Sequence, residues 1–369
     1  MAGPDWIPVA VLPNLYTRRT VEGEIVAFVP PGDPRVRTFV SAHPMLGKFL
    51  ARFTDTFHVP LEPVVFIVRG DAIPEFTDTQ GALLSFRDLV ALSVVPHARS
   101  NGLVYGGADR ISYANSFWLH PWMVENDRLA ASTPAFSGIH VVEEFHGQSS
   151  PELPLMQLRE LDEPLFAALL ARWKRHYLGK RQCWQDRALF RSLNMARQAA
   201  QLPAGKGPTL YDLGRIAALW VSAFEILAHP RVDSSGLSYV YALFERVAYL
   251  DRKVRRKKYV AYMSRGKKPW PRRALPCWLY GRLYQGRNAF LHGNPVSPKT
   301  LHPSDLKHSL FWLAPSLYRL AITGALNLSF PKKLQKGAAE KQIGKFVSAR
   351  MDFNDYQMIA ERALLRARK

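Results

Sequence analysis

The rhythm of apolar positions changes near residue 150. Before that point, short β-branched runs such as EIVAFVP (24–30) and PVVFIVR (63–69) stand between turn residues, while GALLSFRDLVALSVV (81–95) has helical length. This pattern predicts a mixed α/β or α+β domain over residues 1–150. The segment HGQSSPELP (146–154) gathers Gly, Ser and Pro and reads as a linker. Beyond it, apolar residues recur at helical spacing over about 154–178, 183–201, 209–228, 237–250, 276–292 and 304–328, which predicts an all-α bundle. The expected organisation is therefore a mixed domain (1–150), a linker and connecting helix (151–182), a helical domain (183–330) and a C-terminal appendage (331–369). That last stretch carries ten basic and four acidic side chains.

Two of these helices carry candidate chemistry. The helix from Thr209 opens with TLYD, in which Thr209 can cap free amides and Asp212 complements the dipole. It continues with Leu213, Ile216, Trp220, Phe224 and Leu227 at helical spacing, and Glu225 interrupts its apolar second half. A carboxylate there faces solvent, meets a cation across the bundle, or belongs to a site, because burial without a partner is costly.

The second helix contains LYQGRNAFLHGNPV (283–296); Pro276 suits its first turn, and Gly293 with Pro295 supplies a stop. Leu279, Leu283, Gly286 and Phe290 form one apolar stripe. Gly281, Gln285, Asn288 and His292 form another row, small and polar. Arg287 lies about 100° from Asn288, and its long stem can bring a guanidinium toward the same group. An imidazole that moves a proton and a guanidinium that stabilises phosphate charge together suit metal-independent RNA cleavage by the 2′-hydroxyl. One histidine cannot ideally serve as acid and base at once, so two copies meeting across the polar row, with Gly281 in the contact, would complete the pair. The plainer reading is a histidine favoured by the helix C-terminus beside a surface arginine.

Charge sharpens the choice of partner. Fifty Lys and Arg against thirty Asp and Glu leave a formal +20, which favours polyanions, with nucleic acid ahead of an anionic membrane. Residues 252–275 alone hold eleven Lys or Arg and no acid. There Arg252, Lys253, Arg255, Arg256, Lys257, Lys258, Lys267 and Lys268 could follow phosphates while Tyr259 and Trp270 stack on unpaired bases. The alternative is a solvated loop whose aromatic rings pack on the bundle.

Cys183 and Cys277 stand far apart with no C-x-x-C spacing, so no disulfide framework or zinc knuckle is indicated, and a reducing cytoplasm fits best. The opening MAGPDWIPVAVLPN lacks a basic head and is broken by prolines, which argues against export. Residues 309–330 are long enough to span a bilayer, but Arg319 and Pro315 favour a buried core helix. His140, Glu143, Glu144 and His146 are metal-ligand types without same-face H-E-x-x-H spacing, so no metal or cofactor is expected.

The segment RNAFLHG resembles the R-N-x-x-x-H signature of HEPN domains, and LYQGRNAFLHG with LWVSAFEIL upstream is similar to their Apea-like branch. The similarity covers about residues 183–330. It implies a small helical bundle, metal-independent cutting of RNA, and a homodimer in which two motif helices meet. On this carry-over Arg287 stabilises the phosphate, Asn288 orients the reacting groups, His292 moves the proton, and Glu225 matches the helix acid of many members. A toxin or antiviral defence role, with an antitoxin or activating partner, is also implied. So is the alternative of a non-catalytic RNA- or nucleotide-binding adaptor, as some members do not cut.

Overall fold

The computed structural model describes residues 5–55, 58–106, 113–125, 128–133, 136–139, 156–157, 161–179, 183–201, 209–231, 236–263, 269–329 and 339–369. The chain divides into two compact units, residues 1–87 with 114–159 and residues 88–113 with 160–369.

The first unit is built on strands β1 (Trp6–Leu12), β2 (Leu15–Tyr16), β3 (Val21–Glu22), β4 (Val26–Val29), β5 (Val64–Arg69), β6 (His120–Glu125), β7 (Arg128–Thr133), β8 (Phe136–Ile139) and β9 (Met156–Gln157). Seven of them form one antiparallel sheet in the order β3-β4-β5-β1-β6-β7-β8, while β2 pairs with β9. Helices α1 (Pro34–Ala42) and α2 (Pro44–Leu50) follow β4. The run VVFIV is buried on both faces, which explains its continuous apolar character. Val65 and Ile67 join Val36, Leu46 and Phe49 of α1 and α2 in one core. Phe66 alternates to the opposite face, where its ring meets Phe28 edge-on at 4.9 Å and stacks on Phe86 at 5.6 Å. This unit is α+β, the second of the two forms expected for a mixed domain.

The second unit is helical. It contains the later part of α3 (Thr79–Tyr105), then α4 (Glu163–Tyr177), α5 (Trp184–Ala199), α6 (Leu210–Ala228), α7 (Leu237–Arg246) and α8 (Arg252–Arg256). A hairpin of β10 (Tyr259–Val260) and β11 (Arg272–Arg273) leads into α9 (Leu275–Leu291), α10 (Pro298–Leu301), α11 (Leu310–Ala325) and α12 (Glu340–Arg366). The expected helices are thus present with shorter ends, because loop residues had extended several periodic runs. The expected helix of 304–328 begins only at Leu310, since residues 303–309 lie in turns and bends and Ser309 takes the N-cap position.

α11 is the central helix, and its one charge, Arg319, is only 2% exposed. Arg319 Nε donates to Asp162 Oδ2 at 3.0 Å, and Nη1 donates to Gln357. Asp162 also caps α4 by accepting from the Leu165 amide. Pairing is what allows a full charge in this core. Among the described residues no helix is long and apolar enough to cross a membrane.

Two organisational expectations are corrected. The bundle does not begin at residue 183: α4 belongs to it, and so do residues 88–113, where Asp88 pairs with Arg197 of α5 at 2.9 Å. The C-terminal residues are not an appendage throughout. α12 buries Phe353, Ala360, Ala363 and Leu364, an apolar face that a count of charges conceals. The proposed linker 146–154 lies outside the described residues.

Candidate functional site

The candidate site begins with the packing of α6 against α9. A Cβ on Gly214 would collide with the Phe290 ring, and Phe224 meets Tyr280 at 4.9 Å, so the two helices run antiparallel at close range. The capping box of Thr209 and Asp212 starts α6 as its sequence anticipates. At the other end, α9 stops where Gly293 adopts φ +67° and the Asn294 amide donates to the Ala289 carbonyl at 3.0 Å. A left-handed residue after the last turn is a common helix stop, and glycine takes it without strain.

This geometry brings Glu225, Arg287 and Asn288 together. Arg287 Nη2 donates to Glu225 Oε2 at 2.6 Å, and Nη1 donates to Asn288 Oδ1 at 3.0 Å. The guanidinium carbon lies 4.9 Å from the centre of the Tyr284 ring, in the range of a cation–π contact. Three neighbours therefore fix its plane. Arg287 and Glu225 are 16% and 20% exposed, so both can still be reached from solvent. Burial pushes the Glu225 carboxyl above its ordinary range, while Arg287 pulls it back toward the ionised form.

His292 is held differently. It caps the C-terminus of α9, its backbone amide donates to the Asn288 carbonyl at 3.0 Å, and its side chain is exposed. Among the described residues the imidazole has no hydrogen bond or ion pair. It stands four positions after Asn288, so the two share a helix row, but it is not bonded to the Arg287 cluster.

The rest of the polar row behaves otherwise than expected. Gly281 is buried within its own chain, because a Cβ there would lie 2.6 Å from the Tyr241 hydroxyl and 3.3 Å from Tyr262. It cannot form part of a contact with a second copy. Its smallness instead admits the hairpin strap over α9, where Tyr262 sits 6.1 Å from Tyr284. Leu291, beside the histidine, is 60% exposed, and Tyr211 in the first turn of α6 is 74% exposed.

The basic segment is split by the fold. Arg252, Lys253, Arg255 and Arg256 belong to α8, whose N-terminus is capped by Asp251, and with Lys257 and Lys258 they are all exposed. Lys267 and Lys268 lie outside the described residues. Tyr259 and Trp270 are half-buried: Tyr259 packs on Trp278 at 5.5 Å and Trp270 on Tyr262 at 5.1 Å. Both rings thus pack partly on the protein, Trp270 in an edge-to-face contact. Tyr284 escaped the sequence reading, although it stands three residues before Arg287 and so on its face.

His140, Glu143, Glu144 and His146 also lie outside the described residues. Among the described residues no group of three or more His, Cys, Asp or Glu could hold a metal ion. No family model matches this chain, and neither a curated protein nor a solved structure matches it.

Proposed function

We propose that the chain is a metal-independent endoribonuclease of HEPN type that acts as a homodimer, in the cytoplasm, as a toxin or antiviral effector. The observation that carries this reading is the end of α9. An oriented guanidinium, Arg287, and an exposed imidazole, His292, flank Asn288 there. The helix is closed against α6 by Glu225, which matches the acid that the family resemblance assigned to this helix.

The chemistry follows from these groups. One His292 takes the proton of a 2′-hydroxyl as that oxygen attacks the adjacent phosphorus, and Arg287 stabilises the added negative charge on the phosphoryl oxygens. The bond to the 5′-oxygen breaks, and the leaving oxygen takes a proton from the second protomer's imidazole. The products are a 2′,3′-cyclic phosphate and a 5′-hydroxyl. Asn288 keeps the guanidinium in plane, and Glu225 anchors it without touching the substrate. The exposed cations of α8 hold the RNA backbone.

A second reading has one observation of its own. The pairing of Arg287 with Glu225 is also what a purely structural clamp between α6 and α9 would look like, as in a non-catalytic RNA-binding adaptor. Purified wild type, His292→Ala and Arg287→Ala incubated with total RNA separate the two. Each substitution is expected to cost at least about a hundredfold in cleavage rate. Absence of cleavage by wild type, or unchanged cleavage by folded variants, selects the adaptor or another site.

A further inference from the structure

The last turn of α12 lies against the basic segment of α8, far from it in sequence. Glu361 of α12 accepts the backbone amides of Leu250 and Asp251 at 3.0 and 2.7 Å, so the start of α8 is held on α12. Past the helix end, the Arg368 guanidinium carbon lies 4.9 Å from the Tyr259 ring and 5.6 Å from the Trp278 ring. The Lys307 amide donates to the Ala367 carbonyl at 2.7 Å. Exposed Lys307, Arg366 and Lys369 thus stand at the end of α12 that holds the start of α8, whose segment 252–258 bears six exposed cations.

The acids of this region are already engaged. Asp251 caps α8 through the Lys253 amide, and Glu361 is buried beneath it. Asp305 pairs with Arg282 at 2.8 Å, and Glu245 pairs with Arg273. Among the described residues none of these nine exposed cations has an ion pair. Like charges so placed repel one another, and a polyanion that displaces their counterions gains affinity that falls as salt rises. Of the aromatic rings here, Tyr259 and Trp278 lie under Arg368, and Trp270 meets Tyr262 edge to face.

We propose that Lys307, Arg366 and Lys369 complete the α8 surface into a phosphate track that holds RNA by its backbone and is indifferent to base identity. The polymer's identity rests on the ribonuclease reading above. Charge geometry alone defines the track.

The test is fluorescence anisotropy across a KCl series with two 2′-O-methyl oligonucleotides of equal length, one all-uridine and one all-adenosine. Neither can be cut by 2′-hydroxyl attack, so binding is read apart from chemistry. Both are expected to bind wild type within about threefold, because phosphate contacts carry no sequence information. The triple variant Lys307→Ala, Arg366→Ala, Lys369→Ala is expected to reduce the slope of log affinity against log salt by about two, at roughly 0.7 per lost single-strand contact. The charge-keeping triple Lys307→Arg, Arg366→Lys, Lys369→Arg is expected to retain the wild-type slope.

A wild-type slope in the alanine triple, or a strong preference for one base, overturns the proposal. Binding to phosphatidylglycerol vesicles in the absence of RNA binding also overturns it, in favour of a membrane surface. Failure of the ribonuclease reading looks different: no cleavage by any form of the chain, with the slope still changing as expected.

Discussion

Arg287 and His292 sit five residues apart, yet the fold treats them oppositely. Arg287 is restrained by Glu225, Asn288 and Tyr284, whereas the His292 side chain is exposed and, among the described residues, has no hydrogen bond or ion pair. The motif letters were legible in the sequence, and so was the possibility that Glu225 meets a cation across the bundle. The partner's identity was not, because periodicity places a side chain on a face without saying which neighbouring helix that face addresses. Glu225 makes the pairing testable by pH. Burial raises its carboxyl above the ordinary value of 4.5, so the folded chain keeps this proton to higher pH than the unfolded chain. Since the folded state then binds more protons, this group's contribution to stability declines as pH rises from the unfolded value through the raised folded one. Glu225→Gln removes the dependence. Urea midpoints measured from acid to neutral pH are expected to shift in the variant's favour, relative to wild type, across that window. A constant difference between the two proteins contradicts the assignment.

At the scale of elements, α6, α9 and α11 form the frame that holds the site, and their apolar periodicity announced all three. What periodicity missed was close approach. Gly324 of α11 leaves no room for a Cβ, because the Leu243 carbonyl of α7 occupies that space. In sequence Gly324 reads only as a weak point late in an apolar helix. Gly324→Ala is expected to destabilise the helical unit by about 1–3 kcal/mol, as overpacking against rigid backbone does, and thermal unfolding measures it. A variant with wild-type stability shows that α7 and α11 are not packed this tightly. The misreading of α12 has the same origin: its ten-to-four charge balance with residues 331–339 and 367–369 concealed a buried face of Phe353, Ala360 and Leu364. Likewise Gly281, small and on the polar row in sequence, is covered by Tyr241 and Tyr262 of its own chain.

For the whole molecule, the division into an α+β unit and a helical unit follows from the change of rhythm near residue 150, but the exact partition does not. Residues 88–113 lie within the N-terminal half of the sequence, and only three-dimensional packing assigns them to the helical unit. The assembly is an inference at this scale. With Gly281 withdrawn, the surface left for a second copy is the outer end of α9, where His292 and Leu291 are exposed, with Tyr211 on α6. If the two imidazoles serve as base and acid, mixed dimers of wild type and His292→Ala, isolated with two affinity tags, are expected to show far less than half of wild-type single-turnover cleavage. Independent sites would be additive and leave about half. A rate of one half, or full activity in a verified monomer, rules out the shared site.

The chemistry of the cut ends tests the ribonuclease reading. Wild type and His292→Ala are incubated with RNA in excess chelator, and the fragment termini are identified by mass. Wild type is expected to leave 2′,3′-cyclic phosphate and 5′-hydroxyl ends, with the variant at least about a hundredfold slower, because the substrate's own hydroxyl is the nucleophile and His292 moves its proton. Cleavage that requires added divalent metal, or that leaves 5′-phosphate and 3′-hydroxyl ends, contradicts it.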